Sequence, residues 1–118
     1  MKLDRGVWKY TMALVTYIEY SGVRHSVEVP EGDSVMQGAI SNLVAGIVAE
    51  CGGGLACATC HCYVEDVWID RLAAPSEMEK QMLESVASET RHGSRLSCQI
   101  TVDHTLDGLV VRLPESQY

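Results

Sequence analysis

The chain has 118 residues, of which 47% are hydrophobic and 21% charged, a composition typical of one globular domain with a small core. Its formal net charge is −7, which makes nucleic acids and anionic membranes poor partners and a basic protein surface a better one. The sequence has no apolar run near the ~20 residues of a membrane span and no signal peptide, so we expect a cytoplasmic protein. We also expect it to be a monomer.

The opening segment differs in character from the alternating segment after it. We treat residues 1–12 as an N-terminal extension to which we assign no function, and residues 13–118 as the domain. Two segments rich in β-forming residues, 13–20 and 23–29, flank Ser21-Gly22 and predict a β-hairpin.

A helix is predicted to begin after Ser34, because Ser34 and Gln37 form the S-x-x-Q pattern of a capping box. Gly46 is a natural end for this helix. Its inward face is predicted from the apolar spacing to consist of Val35, Met36, Ile40 and Leu43.

Three strands and a second helix are predicted in the rest of the chain. We expect strands over residues 62–67, 95–102 and 106–113, and a helix beginning at Pro75 or Ser76. Four apolar residues of this helix are predicted to face inward: Met78, Met82, Leu83 and Val86. The order of elements favours a single α+β domain.

Cysteines carry the chemistry. Three of them lie in the short stretch CGGGLACATC, and the five in total are Cys51, Cys57, Cys60, Cys62 and Cys98. An odd number in a protein that is not exported argues against a disulfide framework and favours metal or redox chemistry.

Three familiar kinds of cysteine site fit this spacing poorly. Four-cysteine zinc sites usually come as two C-x2–4-C pairs, and here the second pair is missing. A thioredoxin-like C-x-x-C at Cys57 and Cys60 would need neither Cys51 nor the glycines, and a Rieske centre would need a C-x-x-H motif that the sequence lacks.

A [2Fe-2S] cluster explains more of the pattern. The cluster with four thiolates is an anion, so it favours a loop whose backbone N–H groups point inward. Three consecutive glycines, Gly52, Gly53 and Gly54, permit such a tight anion-binding turn because they have no Cβ.

The stretch CGGGLACATCHCYV, with a further cysteine after 37 residues, resembles the adrenodoxin and putidaredoxin family of [2Fe-2S] ferredoxins, and the likeness covers residues 13–118. Plant-type ferredoxins space the first two cysteines by four residues, whereas here the spacing is five. The resemblance implies a β-grasp fold, a mixed sheet covered by the helix that begins after Ser34.

The resemblance also assigns the site. The four iron ligands would be Cys51, Cys57, Cys60 and Cys98. The rest of the cluster loop would consist of Gly52, Gly53, Gly54, Ala56, Ala58, Thr59 and His61. We interpret His61 as a donor that ties the loop to the domain rather than as an iron ligand, and Cys62 as a small core residue.

The implied function is electron carriage without catalysis. Members of the family take single electrons from a flavin-dependent, NAD(P)H-dependent ferredoxin reductase, and many pass them to a haem-thiolate monooxygenase, a cytochrome P-450. Partner contacts carried over by position are Glu50, Glu77, Glu79, Glu84 and Tyr118. Taken alone, the acidic run from Glu65 to Glu89 favours a solvated face rather than a partner contact.

The sequence leaves two alternatives open. The protein could supply electrons to iron–sulfur cluster assembly instead of a monooxygenase, or it could be a structural zinc module that binds a partner.

Overall fold

The computed structural model describes residues 12–44, 47, 60–86, 88–115 and 117. The expectation for residues 1–11 lies outside this range, and Met12 already belongs to a strand. Five strands are described: β1 (Met12–Ile18), β2 (Arg24–Pro30), β3 (His61–Val64), β4 (Ser94–Leu96) and β5 (Leu109–Arg112). The described helices are α1 (Val35–Ser41), α2 (Asp66–Ile69) and α3 (Glu77–Leu83), with short 3-10 helices at Ser97–Gln99 and His104–Leu106.

The strands form one mixed sheet in the order β2-β1-β5-β3-β4. β1 and β5 run parallel, and the other neighbours pair antiparallel. The predicted hairpin is confirmed: β1 and β2 pair along their whole length, and Gly22 turns the chain with a φ of +99°. The sheet alternates buried and exposed residues in β1, so one face of the hairpin faces the core.

α1 packs on this sheet as a cover. The hydroxyl of buried Tyr17 in β1 donates to the carbonyl oxygen of Val35, 2.7 Å away, and fixes the start of the helix. A Cβ at Gly38 would lie 2.6 Å from both the Tyr17 hydroxyl and a methyl group of Val29, so this position needs glycine for close approach. The mixed sheet and its covering helix agree with the β-grasp expectation.

The capping box at the start of α1 is confirmed. The Gln37 N–H donates to Ser34 Oγ at 3.0 Å, and the Ser34 N–H donates to Gln37 Oε1 at 2.8 Å. Val35 and Met36 are buried as predicted.

The end of α1 differs from the prediction. The helix stops at Ser41, and the N–H groups of Leu43 and Val44 donate to Ile40 and Ala39 in a Schellman motif. Leu43 takes a φ of +58°, which turns its side chain outward to 90% exposure, while Val44 enters the core. The predicted inward placement of Leu43 is therefore wrong. Ile40 is also half exposed although it lies within α1, because the buried face of this helix consists of Val35, Met36, Gly38 and Ala39.

Downstream, all three predicted strands are shorter than expected. The strand predicted over residues 106–113 is β5, which covers Leu109–Arg112, and Leu106 lies in a 3-10 helix instead. Residues 62–64 lie in β3, but residues 66–69 form α2 instead of continuing the strand. β4 ends at Leu96, and a 3-10 turn over Ser97–Gln99 replaces the rest of the predicted strand.

α3 begins as predicted but turns a different face inward. The Glu79 N–H donates to Ser76 Oγ, which caps the helix. Met82, Leu83 and Val86 pack against the core, whereas Met78 is 58% exposed and Glu79 is 1% exposed. The prediction for Met78 is wrong because an ion pair, not an apolar contact, sets the rotation of this helix.

Glu79 holds α3 on β4 through one carboxylate. Arg95 Nε and Nη2 donate to its two oxygens at 2.7 and 3.0 Å, and the Leu96 N–H donates to Oε2 at 2.9 Å. Arg95 Nη1 also donates to the carbonyl oxygen of Ala73 at 2.9 Å. The bidentate geometry and the backbone donor offset the free-energy cost of removing this charge pair from water.

No helix of the described residues is long and apolar enough to cross a membrane.

Replacing Leu43 by glycine should stabilise the protein. A non-glycine residue in the left-handed region costs about 1 kcal/mol or more, and the exposed leucine side chain has little packing to lose. We expect Leu43→Gly to raise the thermal midpoint by a few degrees in scanning calorimetry, about the shift that ~1 kcal/mol gives in a domain of this size. Val67→Gly, at an exposed residue in an ordinary helical conformation, is the control and should lower it. A lower midpoint for Leu43→Gly would contradict the strain.

Removing the Glu79 carboxylate should be costly. Glu79→Ala leaves Arg95 buried without its counter-charge, so we expect a loss of about 3 to 5 kcal/mol in the free energy of unfolding, measured by urea denaturation. Glu77→Ala is the matched control, since the Glu77 side chain is 85% exposed and its loss should cost less than about 0.5 kcal/mol. Equal losses in the two variants would refute the structural role of Glu79.

Candidate metal centre

Two of the predicted ligands meet at the end of the sheet. Cys60 immediately precedes β3, and Cys98 lies in the 3-10 turn after β4. Because β3 and β4 pair antiparallel with His61 opposite Leu96, the start of one strand lies beside the end of the other. The Sγ atoms of Cys60 and Cys98 are 3.4 Å apart, although the two residues are 38 positions apart in the chain.

This separation fits two ligands of one metal ion. A disulfide requires a sulfur–sulfur distance of about 2.05 Å, which the pair far exceeds. Two thiolates on one tetrahedral metal, with metal–sulfur bonds of about 2.3 Å, lie about 3.8 Å apart. The pair could therefore bind one iron with a small adjustment of either side chain.

The pKa of the Cys60 thiol is raised, chiefly because Cys60 donates its hydrogen to the Cys98 sulfur and secondly because it is buried. Thiolates, not thiols, bind metals. A metal cation that binds here must displace the shared proton, and its affinity will therefore increase with pH.

Neighbouring polar groups hold the pair in place. The carbonyl oxygen of Cys60 accepts hydrogen bonds from both the N–H and the hydroxyl of Ser97, at 2.9 and 2.8 Å. Gln99 Nε2 donates to Cys98 Sγ at 3.4 Å. Our sequence reasoning missed Ser97 and Gln99, although both adjoin Cys98 in the chain and a search of the residues flanking each ligand would have found them.

His61 ties the start of β3 to β4. Its Nε2 atom lies 3.0 Å from Ser94 Oγ. Its ring packs edge-on against the Tyr63 ring, with 4.7 Å between the two ring centroids. Burial, and secondly the nearby charge of Arg91, lowers the pKa of His61 to about 4, so the ring is neutral at physiological pH. Its Nδ1 atom has no hydrogen-bond partner among the described residues.

Cys62 lies fully inside the core, as predicted. It stands opposite Arg95 in the β3–β4 pair, and burial raises the pKa of its thiol to about 12. A thiol held protonated among apolar neighbours behaves as a small hydrophobic residue.

Several predicted site residues lie outside the described part of the chain: Glu50, Cys51, Gly52, Gly53, Gly54, Ala56, Cys57, Ala58, Thr59 and Tyr118. Within residues 12–44, 47, 60–86, 88–115 and 117, no group of three or more potential metal-binding side chains occurs. Cys60 and Cys98 are half of the predicted ligand set, so the described part can supply only a pair.

The three acids predicted on the second helix do not share one environment. Glu77 and Glu84 are exposed, whereas Glu79 is occupied by Arg95 and the Leu96 N–H inside the protein. The expectation that Glu79 contacts a partner is corrected, because a buried carboxylate with three donors has no free face for another protein.

Comparison with known proteins identifies the family. A family model described as a 2Fe-2S iron-sulfur cluster binding domain matches residues 18–103. Rhodocoxin of Rhodococcus erythropolis is 53% identical, over 90% of this chain and 99% of its own length. Putidaredoxin of Pseudomonas putida is 44% identical, over 91% of this chain and 100% of its own length.

Solved structures agree with these relatives. The crystal structure of a reduced putidaredoxin variant from Pseudomonas putida superimposes with a TM-score of 0.88 at 44% identity, and it covers 90% of this chain and 100% of that one. Putidaredoxin in its covalent complex with putidaredoxin reductase gives a TM-score of 0.84 at 46% identity, over 86% and 98% of the two chains. The chain belongs to the [2Fe-2S] ferredoxins of the putidaredoxin type, proteins that bind a [2Fe-2S] cluster and transfer electrons without being enzymes themselves.

Proposed function

We propose that this protein carries single electrons from a flavin-dependent ferredoxin reductase to a haem-thiolate monooxygenase, a cytochrome P-450. The observation that carries the proposal is the convergence of the Cys60 and Cys98 sulfur atoms at the end of a sheet of the putidaredoxin type. When bound, the [2Fe-2S] cluster supplies the reversible uptake of one electron.

Four thiolates would hold the cluster: Cys51, Cys57, Cys60 and Cys98. The 3.4 Å approach of Cys60 and Cys98 supports their assignment to one iron, and Cys51 and Cys57 would serve the other. The glycines between Cys51 and Cys57, together with Ala56, Ala58 and Thr59, would supply the backbone donors that an anionic cluster needs. Cys62, enclosed in the core, has no part in this set.

The chain's own residues would favour the reduced, more negative state. Gln99 Nε2 directs an N–H group at Cys98 Sγ, and such donors stabilise added negative charge on sulfur. His61 is neutral and adds no positive charge beside Cys60. The negative charge of the reduced state would therefore be stabilised near Cys60 by hydrogen bonds.

Partner docking would use the exposed side of α3. Glu77 and Glu84 project acidic groups, and Met78, the residue after Glu77, adds an exposed apolar side chain. Buried Glu79 bonds to the Leu96 N–H, two residues before Cys98, so the docking helix is fixed directly to the segment that bears a ligand. A basic surface on the reductase or the oxygenase would therefore be steered to a face close to the metal centre.

Two further contacts complete this proposal. Glu50, next to Cys51, would add an acid at the rim of the cluster loop, and Tyr118 would add an aromatic side chain of the kind enriched in protein interfaces. A similar chain, putidaredoxin, has been crystallised in a covalent complex with its reductase, which supports a reductase as one partner.

We also propose that the protein works in the bacterial cytoplasm. Rhodocoxin and putidaredoxin, two of the proteins to which this chain is similar, both come from bacteria. The described cysteines, Cys60, Cys62 and Cys98, are all free thiols, which fits a reducing compartment.

Serine substitutions test the ligand set. Cys51→Ser, Cys57→Ser, Cys60→Ser and Cys98→Ser should each bleach the visible absorption of the cluster or make it labile, because an alcohol is a poor substitute for a thiolate. Cys62→Ser is the matched control and should keep the visible spectrum and the EPR signal of the reduced protein. Loss of the cluster in Cys62→Ser together with its retention in Cys98→Ser would show that the assignment is wrong.

Charge reversal tests the docking face. Glu77→Lys combined with Glu84→Lys should slow reduction by the reductase at low salt and flatten the salt dependence of the rate, because steering fades as ions screen it over a Debye length of about 8 Å. The control is Glu28→Lys, an exposed acid on the edge strand β2. Stopped-flow reduction across a salt series measures both. If the double variant behaves like Glu28→Lys, the acids of α3 form only a solvated face.

A further inference from the structure

A single glutamine side chain clamps the residue immediately after Cys60. Gln117 is 8% exposed, and its Nε2 atom donates to the carbonyl oxygen of His61 at 2.9 Å. Its Oε1 atom accepts a hydrogen bond from the His61 N–H at 3.2 Å. One planar carboxamide therefore satisfies both main-chain polar groups of a residue 56 positions away in the chain.

The position of this clamp is explained by the register of the sheet. β3 pairs with β5 at Tyr63–Arg112 and Val64–Val111, so the residue that would face His61 in the same register is Pro114. Proline has no N–H to donate, and β5 ends at Arg112. The Gln117 carboxamide replaces the peptide group that the strand cannot provide at this level.

The clamp completes the support of the peptide unit that joins Cys60 to His61. The carbonyl oxygen of this unit accepts two hydrogen bonds from Ser97, the residue before Cys98. Its N–H donates to Gln117. Both polar ends are thus held by other segments, and rotation of the peptide, which would swing the Cys60 side chain, requires breaking these bonds.

We infer that Gln117 is a positioning residue for the metal centre: its carboxamide fixes the main chain beside Cys60 and so sets the direction of that sulfur atom. The inference rests on the proposed role of Cys60 as a ligand. It also concerns the proposed partner contact, because Tyr118 is the next residue in the chain.

Two variants separate the hydrogen bonds from the shape of the side chain. Gln117→Ala removes both bonds. Gln117→Glu keeps the size of the side chain and an acceptor for the His61 N–H, but an ionised carboxylate cannot donate to the His61 carbonyl oxygen and adds a negative charge. Glu115→Gln is the matched control, an exposed residue two positions earlier in the same segment.

All variants are compared with the wild-type protein carrying its cluster. For Gln117→Ala we expect the His61 amide to exchange about tenfold faster, a factor consistent with the net effect of losing one hydrogen bond. The EPR signal of the reduced cluster should broaden, because Cys60 then samples a range of orientations. For Gln117→Glu we expect the amide to stay protected and the midpoint potential to fall, because negative charge opposes reduction. Glu115→Gln should match the wild type in exchange and in EPR line width.

Three outcomes overturn the inference. Unchanged exchange at His61 in Gln117→Ala means that the clamp does not form. Faster exchange with an unchanged EPR signal means that Gln117 only stabilises the fold. If Gln117→Ala cannot be obtained folded, the test is Gln117→Glu. An unchanged midpoint potential of the cluster in that variant would also overturn the inference. Failure of the proposed function would be seen separately, as retention of the cluster by Cys60→Ser.

Discussion

The antiparallel pairing of β3 with β4 is the constraint on which the metal centre depends. It brings the start of one strand beside the end of the other, and only this arrangement places the Cys60 and Cys98 sulfur atoms 3.4 Å apart. All four residues of β3 and all three of β4 are buried, so the pairing lies in the interior of the protein and resists fraying. The proposed ligands Cys60 and Cys98 therefore adjoin the paired ends of two strands and do not lie in two independent loops.

The second element of support is a polar network inside the same region. The Glu79 carboxylate joins α3 to Arg95 and Leu96 of β4, and Ser97 and Gln117 hold the peptide between Cys60 and His61. Each of these groups is buried and satisfied by charged or backbone partners, which compensates the cost of removing them from water. The network links the helix that carries the exposed acids to the strands that adjoin the proposed ligands Cys60 and Cys98.

This connection explains why the acidic residues of α3 have two different environments. In the proposed docking, exposed Glu77 and Glu84 would attract a basic partner, while buried Glu79 of the same helix bonds to the Leu96 N–H and holds α3 on β4. An electron carrier needs a partner that binds briefly and in a fixed orientation. Exposed charges mainly raise the association rate, whereas a rigidly attached helix keeps the docked distance constant.

The sequence by itself determined the local features, because their signals lie within a few residues. The hairpin at Ser21-Gly22, the Ser34–Gln37 capping box and the cysteine spacing that resembles a [2Fe-2S] ferredoxin could all be derived from neighbouring positions. Only the tertiary structure decided the burial of Glu79, the outward turn of Leu43 and the clamp of Gln117 on His61. The sequence around Glu79 does not show whether its side chain faces water or an arginine 16 positions away. Nor does the sequence around Gln117 show that its carboxamide takes the place of a peptide group. Those roles depend on which distant segments the sheet brings together.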